Sequence, residues 1–363
     1  MLVPRPVEIL VGPENPKHLE AIRAGLAPRL DYHLVAAQCR GHIRACHASP
    51  AAWQGPKILR LVRAMSANLR MAVQIVKSVP AGSVIYSTGE TWGLPVAIVS
   101  TLMGRRHIHV MYVHRVYSRL WLQLIRLLRS FLHVDGWICI TQYQADLLRH
   151  ALGSAGAPVT VVSQGVDTAF FDSARAGPLD RSPYILSVGA EMRNYPLLFE
   201  AVQGLDVQVM VKASSTWMAG MRQQVRSIPP NVTLLTEQLS YPDLRNLYAG
   251  AALVVVPLYD TPQAAGITTI LEAMAMHKCI VATHSHGLPD GLVEGSTGLI
   301  TEATCAALGR SIHDLISRTD LAHQLAANAF CFVRQEASLE VHAAKVESFM
   351  QVVLQNARVQ KQV

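Results

Sequence analysis

The sequence predicts an α/β protein built from two parallel-sheet domains. Short apolar runs of strand length alternate with segments of helical periodicity, and this alternation restarts midway along the chain. The chain has 363 residues, more than one hydrophobic core usually supports, so we expect two domains of about 170 residues each. Half of the residues are hydrophobic and only 16% are charged, which suits buried parallel strands.

The predicted strands follow one another in both halves. Those of the first half are VEILVG (7–12), DYHLVAA (31–37), SVIYS (83–87), HIHVMYVH (107–114) and GWICIT (136–141), and the segment APVTVVSQGVDTAFF (157–171) closes the half. Those of the second half are YILSVG (184–189), VQVMVKA (207–213), VTLLTE (232–237), ALVVVPL (252–258) and CIVATH (279–284). The intervening segments are long enough for crossover helices, which predicts two Rossmann-like domains with a cleft between them. Ligands of such sheets bind beyond the carboxyl ends of the strands.

Composition shifts suggest the domain boundaries. We expect an N-terminal domain over residues 1–171, a linker rich in Pro, Gly and Ser over 172–183, and a C-terminal domain over 184–335. A last helix over 336–363 could pack back on the N-terminal domain.

Cysteines and charge restrict the class of protein. The six cysteines form no C-x-x-C pair, which is typical of reduced thiols in a cytoplasmic protein. We see no signal peptide and no apolar run of about 18 residues, so a spanning helix is not expected. Residues 1–160 hold 18 Lys and Arg against 7 Asp and Glu, a balance of +11, and the remainder hold 14 against 18. A basic first half suggests an anionic surface or acceptor.

The stretch 260–298 carries the strongest chemical signal. A Gly-containing loop runs into a short apolar helix, and we predict Glu272 in its first turn. The unpaired N–H groups and positive dipole end of such a helix favour bound phosphate. A nearby carboxylate can accept two hydrogen bonds from a ribose diol. In the alternative interpretation, Thr269 and Glu272 form a T-x-x-E capping box that serves only the helix.

Two segments of this stretch, LEAMAMHKCIVAT (271–283) and GLVEGSTGLI (291–300), resemble the donor-binding region of the retaining glycosyltransferases of family 4 (group 1). Those enzymes have GT-B architecture, in which two Rossmann-like domains with parallel sheets face a central cleft. The family pattern places a Glu eight residues before the second Glu, where this chain has Ala264 beside Gln263. The resemblance covers most of residues 80–300.

The resemblance implies transfer of a sugar, with retention, from a nucleoside-diphosphate sugar to a glycan, lipid-linked or small-molecule acceptor. It implies front-side displacement, in which the leaving phosphate takes the acceptor proton and no protein nucleophile is needed. The implied donor-binding residues are Gly189, Gln263, Gly266, Ile267, Thr268, Thr269 and Glu272. Because Ala264 replaces a carboxylate, either Gln263 substitutes for it or the donor is an unusual sugar.

Three further residues are candidates for catalysis. Arg193 stands where the family places a cation on the diphosphate, and Lys212 could supply a second cation. The alternative for Arg193 is a solvated loop cation paired with Glu191 or Asp206. His114 ends a predicted strand, where the family has a His that reaches toward the donor, although a structural role is equally open.

Acceptor contacts are expected in STGETWGLP (87–95). There, Glu90 can accept from hydroxyls and Trp92 can stack on sugar rings, unless the segment is a plain turn. Two basic amphipathic stretches, 56–77 and 115–133, remain. The second either packs on the first sheet, which we favour, or lies on a membrane interface.

Absent motifs narrow the chemistry further. The sequence has no P-loop, no G-x-S-x-G and no H-E-x-x-H, and it lacks the D-x-D triplet of metal-dependent glycosyltransferases. We therefore expect metal-independent transfer with no cofactor beyond the donor, and no nucleic acid partner. Two alternatives stay open: a GT-B scaffold or partner subunit without activity, and a nucleotide-sugar epimerase on the same fold.

Overall fold

The computed structural model describes residues 6–46, 57–114, 119–128, 133–154, 156–177, 183–213 and 228–359. Within these ranges the chain forms two compact units. Unit 1 comprises Met1–Glu20, Leu30–Val162 and His342–Val363, and unit 2 comprises Ala21–Arg29 and Ser163–Val341. No helix among the described residues is long and apolar enough to cross a membrane.

Unit 1 is a parallel sheet covered by helices. Its strands are β1 (Val7–Val11), β2 (His42–Ala45), β3 (Val84–Ser87), β4 (Ile108–Val113), β5 (Gly136–Cys139) and β6 (Val159–Val161). Its helices are α1 (Pro16–Arg23, which ends in unit 2), α2 (Asp31–Cys39), α3 (Lys57–Ser78), α4 (Glu90–Leu102), α5 (Arg119–Leu128), α6 (Gln142–Leu152) and α12 (Leu339–Val359, which starts in unit 2).

The first sheet has the order β2-β1-β3-β4-β5-β6 with every neighbouring pair parallel. Residues of α3 and α4 pack with Leu10 and Ile85 in one core cluster, and residues of α4, α5 and α6 pack with Met111 and Trp137 in another. Helix α12 packs directly on β5, since a Cβ on Gly136 would come within 2.6 Å of a methyl group of Val353. The strand order reverses between β1 and β3, which is where such sheets bind ligands.

Unit 2 repeats this plan. Its strands are β7 (Tyr184–Val188), β8 (Val209–Lys212), β9 (Val232–Leu234), β10 (Ala251–Val256), β11 (Cys279–Thr283) and β12 (Leu299–Thr301). Its helices are α7 (Tyr195–Val202), α8 (Tyr241–Gly250), α9 (Ile267–Ala275), α10 (Cys305–Ser317) and α11 (Thr319–Glu336). The sheet order is β12-β11-β10-β7-β8-β9, again all parallel, and it reverses between β7 and β10.

One predicted strand was wrong. Residues 31–37 form helix α2, and β2 follows it at His42–Ala45. Short apolar runs fit either structure by periodicity alone. Here the helix ends at Arg40, which adopts a left-handed conformation and donates its backbone N–H to the last turn. Gly41 then lies against Ile9 of β1, where a Cβ would be only 3.1 Å from the Ile9 side chain.

The domain boundaries also differ from the prediction. The chain enters unit 2 at Ser163 instead of near residue 172, so the described part of the expected linker lies inside unit 2, while residues 178–182 are outside the described residues. The cause is packing: Asp167 accepts hydrogen bonds from Arg29 of unit 2 at 2.7 and 3.0 Å, and the ring of Phe171 meets that of Tyr248. The sequence analysis also missed β12.

Candidate functional site

Three loops meet at the carboxyl edge of the second sheet. They are the β7 loop (residues 189–194), the β10 loop (257–266) and the β11 loop (284–288). The Asn194 N–H donates to the Pro257 carbonyl at 2.8 Å, and the Tyr259 N–H donates to the Met192 carbonyl at 2.9 Å. On the other side, the Ala265 N–H donates to the carbonyl of Gly287 at 3.0 Å. The β10 loop is thus held between the other two, beside the point where the strand order reverses.

Helix α9 begins at this edge. Its N-cap is Gly266, whose φ of 75° lies in the left-handed region that favours glycine. A Cβ at this position would also lie only 3.0 Å from the side chain of Val256. The N–H groups of Ile267, Thr268 and Thr269 lie in the first turn, where a helix offers them no partner. Thr268 is exposed, whereas Ile267 and Thr269 are buried. This end of α9 has the geometry that suits a phosphate.

Glu272 lies in the second turn of α9, so its predicted place in the first turn was wrong. The capping-box alternative is also contradicted, because Gly266 is the N-cap and the Glu272 carboxylate instead accepts a 2.8 Å hydrogen bond from the Tyr248 hydroxyl. The residue is 7% exposed. Burial raises the pKa of Glu272 to about 7, an effect that the hydrogen bond from Tyr248 partly opposes.

Arg193 is not the solvated cation of the alternative interpretation. Its side chain is buried, and its guanidinium donates to the carbonyls of Val188 and Glu191 and to Oγ1 of Thr269. Burial lowers the pKa of this guanidinium from its usual value. Its acceptors among the described residues are uncharged, and it forms no ion pair with a described carboxylate. A positive charge is therefore held next to the first turn of α9.

Gly189 makes room for this guanidinium. Its φ is 103°, and a Cβ there would lie 2.7 Å from Nη2 of Arg193. Lys212, at the end of β8, has a different environment: its ammonium donates to the carbonyls of Leu235 and Glu237 in the segment after β9. Within unit 2, Lys212 thus fixes backbone, and its predicted catalytic role stays a prediction.

The side chain of Gln263 contacts Glu191. The amide nitrogen of Gln263, in the β10 loop, donates a short hydrogen bond to Oε1 of Glu191, in the β7 loop. Glu191 is exposed and Gln263 is half-buried, and Arg193 donates a hydrogen bond to the carbonyl of Glu191. Gln263 therefore keeps its amide oxygen and one amide N–H for a ligand, while Glu191 adds a carboxylate to this edge.

Three residues at this edge were not predicted from the sequence. Tyr248 lies 24 residues before Glu272, on α8, and no local pattern links the two. His286 and Asp260 form a dyad in which Nδ1 donates to Oδ1 at 2.9 Å, and this hydrogen bond lowers the pKa of Asp260. The only available signal was position, because both follow predicted strands of the same sheet.

In unit 1, His114 follows β4 and is held by three contacts. Its Nε2 lies 2.9 Å from the carbonyl oxygen of Thr88, its N–H donates to Glu90, and its carbonyl accepts from Gln144. A carbonyl can only accept, so Nε2 carries the proton and neutral His114 offers Nδ1 as an acceptor. A ligand hydroxyl could therefore donate a hydrogen bond to Nδ1 of His114, and its predicted role toward the donor stays a prediction.

The two predicted acceptor residues lie at the start of α4. Glu90 uses Oε2 to accept the His114 N–H at 3.1 Å, which fixes its orientation. Trp92 is half-buried and packs over Gly12, the residue after β1. A Cβ on Gly12 would lie 3.3 Å from the indole ring. Both stand where the first sheet reverses its order, and their role toward an acceptor stays a prediction.

The basic stretches become helices in part. Residues 57–78 form α3 and residues 119–128 form α5, while Arg115, Arg129 and Phe131 lie outside the described residues. In the described part of the chain, no group of three or more His, Cys, Asp or Glu side chains could hold a metal ion.

Part of the chain is similar in sequence to known glycosyltransferases. Residues 182–318, which contain all three loops and α9, match the family model described as glycosyl transferases group 1. Among curated proteins, alpha-maltose-1-phosphate synthase of Mycolicibacterium smegmatis is 27% identical over 305 residues, covering 72% of this chain and 75% of that protein.

Solved structures agree on the architecture. Sucrose-phosphate synthase from Thermosynechococcus elongatus superposes with a TM-score of 0.73 at 16% identity, covering 97% of this chain and all of that chain. The Anabaena protein HepE, in complex with UDP and glucose, gives a TM-score of 0.66 at 16% identity, covering 96% and 100%. The predicted α/β fold with two Rossmann-like sheets is confirmed as GT-B architecture. The family model and the curated relative support a glycosyltransferase.

Proposed function

We propose that this chain transfers a sugar from a nucleoside-diphosphate sugar to an acceptor, with retention and without a metal ion. One observation carries the proposal: the buried guanidinium of Arg193, bonded to Thr269, lies beside the open N-terminus of α9. A buried cation with neutral partners and a set of helix N–H groups together favour a bound anion of high charge. A diphosphate meets both requirements.

The nucleoside is held, on this proposal, one turn further along α9. Glu272 has one carboxylate oxygen engaged by Tyr248, which leaves the other for a ribose hydroxyl. Such a bond to a charged acceptor is worth about 1.5–3 kcal/mol. Tyr248 then serves to orient the carboxylate.

The sugar lies nearest to Glu191 and Gln263. The missing carboxylate at Ala264 is compensated by Glu191, which Gln263 orients through its amide nitrogen. Glu191 and the amide oxygen of Gln263 are both acceptors, as sugar hydroxyls require. This modifies the sequence-based hypothesis, in which Gln263 alone replaced the carboxylate. An unusual donor sugar remains the other branch of that hypothesis.

The reaction follows front-side displacement. The bond from the anomeric carbon to the diphosphate breaks, the acceptor oxygen bonds to the same face, and the acceptor proton passes to the departing phosphate oxygen. The positive end of α9 and Arg193 stabilise the negative charge that develops on that phosphate. No protein nucleophile takes part, so the catalytic contribution is positioning and electrostatics.

Nucleotide binding is the first test. HepE is bound to UDP in its solved structure, so UDP heads a thermal-shift panel with GDP, dTDP and ADP. A nucleotide at 100 times its Kd adds about 2.7 kcal/mol to the free energy of unfolding. Stabilisation by at least one of the four is expected, and none would contradict the proposal.

Turnover is the second test. Release of nucleoside diphosphate from the matching nucleotide sugar is expected once an acceptor is supplied. The departure at Ala264 favours one alternative, a partner subunit without activity, which would bind nucleotide and show no turnover with any sugar. An epimerase would release no diphosphate and would convert one nucleotide sugar into another.

A further inference from the structure

Helix α5 of unit 1 has a stripe of exposed leucines that the described part of the chain leaves uncovered. Leu120 is 77% exposed, Leu124 48% and Leu127 80%. Because successive residues of a helix are separated by about 100°, positions 120, 124 and 127 fall on one narrow face. Isolated exposed leucines are ordinary, but a row along one helix marks an interaction surface.

The other face of α5 accounts for its attachment to unit 1. Ile125 is 1% exposed and belongs to the core cluster with Met111 and Trp137, and Trp121 and Leu122 pack against that cluster. The helix is therefore anchored to unit 1 by one side. The leucine stripe lies on another side, which does not take part in that core packing. The expectation that this helix packs on the first sheet accounts for Trp121, Leu122 and Ile125 but not for the three leucines of the stripe.

Charge identifies the partner. Six arginines and no Asp or Glu lie between residues 91 and 134, and residues 1–160 as a whole carry +11. Arg126 is exposed on α5 and lies about 100° around the helix from Leu127 of the stripe. An apolar face flanked on one side by a described cation, in a segment without acids, fits an anionic lipid surface, where leucines enter the acyl boundary and arginines meet headgroups. A protein partner would have to supply acids around an apolar groove.

We propose that the α5 leucine stripe docks this chain on an anionic membrane surface, with the helix lying in the plane of the interface. This surface belongs to unit 1 and shares no residue with the proposed donor site in unit 2. Membrane docking through α5 does not depend on whether unit 2 transfers a sugar.

The test is cosedimentation of the full chain with vesicles. Binding to phosphatidylcholine vesicles that contain phosphatidylglycerol is expected, with much weaker binding to pure phosphatidylcholine and weaker binding in high salt. The double variant Leu120→Gln/Leu127→Gln should bind at least about tenfold more weakly, because two large apolar side chains no longer enter the lipid. Leu69→Gln, at a 46% exposed position on α3, is the matched control and should bind like the wild type.

Melting temperatures of all variants check that the fold persists. If the double variant does not fold, Arg126→Gln provides an independent test, since it should weaken binding only to the vesicles with phosphatidylglycerol. The proposal is overturned by absence of vesicle binding, by equal loss in Leu69→Gln, or by a chain that self-associates through α5 in solution without lipid.

Discussion

Nη2 of Arg193 donates a hydrogen bond to Oγ1 of Thr269 across 3.0 Å, joining the β7 loop to the first turn of α9. The two residues are 76 positions apart in the chain. This bond connects the loop after β7 to the N-terminus of α9. It holds the positive charge of Arg193 beside the amides that we propose bind a diphosphate.

Arg193→Lys should therefore weaken both stability and nucleotide binding. A lysine ammonium cannot span the acceptors that the guanidinium reaches, so buried acceptors lose partners at about 1–3 kcal/mol each. We expect a lower free energy of unfolding in urea and at least about tenfold weaker nucleotide binding by calorimetry. Arg175→Lys, at an exposed position, is the control. Loss of stability with unchanged nucleotide affinity would assign Arg193 to structure alone.

Glu272→Gln should change how stability depends on pH. Burial raises the folded-state pKa of Glu272 to about 7, above the unfolded value of 4.5, so the folded protein binds more protons between these values. The stability that Glu272 contributes is present below about pH 4.5 and is lost as pH rises through about 7, by up to about 1.4 kcal/mol per pH unit. The free energy of unfolding of the wild type should therefore fall relative to that of Glu272→Gln as the pH rises from 5 to 8.

The same variant tests the ribose contact. Nucleotide affinity should fall by about 1.5–3 kcal/mol at pH 8, where the carboxylate is charged, and by less at pH 5.5. Tyr248→Phe is the matched variant, because it removes the orienting hydroxyl and keeps the carboxylate. An affinity that is independent of residue 272 at both pH values would reject the ribose role.

Transfer should proceed in excess EDTA at close to its full rate. The proposed site neutralises the leaving diphosphate with helix N–H groups and Arg193, so a divalent cation has no task there. Initial rates with and without EDTA, after dialysis against chelator, give the answer. Activity that disappears on chelation and returns with manganese or magnesium would show that a metal is required.

Glu191→Gln should affect the sugar and leave the nucleotide alone. We expect unchanged affinity for the free nucleoside diphosphate and a fall in kcat/KM of about 10- to 100-fold for donors with a free 3-hydroxyl. Gln263→Ala should show the same pattern more weakly, since it removes a neutral acceptor and releases Glu191 but keeps the carboxylate. Glu302→Gln, at another exposed position, is the control. If wild type prefers a deoxy donor and neither variant changes that preference, the unusual-donor branch is correct.

Two substitutions at His114 distinguish the roles of its two ring nitrogens. Gln places an amide nitrogen near the position of Nε2 and can keep the bond to Thr88, whereas Asn places a polar atom near Nδ1 and loses that bond. If Nδ1 contacts a substrate, His114→Asn should retain more turnover than His114→Gln. The reverse order, paralleled by melting temperatures, would make the Thr88 bond its main function.

The strands and helix α9 were predictable because their signals are local. Buried parallel strands appear as short apolar runs, and Gly266 before an apolar stretch marks a helix start. Helix α2 was mistaken for a strand because seven residues of mixed composition do not distinguish the two periods. Glu272 was placed one turn too early because helix boundaries depend on backbone conformation, here the left-handed φ of Gly266.

The sequence by itself determined the α/β class, the restart of the fold at Tyr184 and the position of the α9 loop, since each follows from residues close together in the chain. Only the tertiary structure decided the partners: Tyr248 with Glu272, Arg193 with Thr269, and Glu191 with Gln263. Those pairs join residues 24 to 76 positions apart, and their contact depends on the order of strands in the sheet, which no local pattern encodes. The burial that raises the pKa of Glu272 has the same origin, because it comes from residues packed around α9 from distant parts of unit 2.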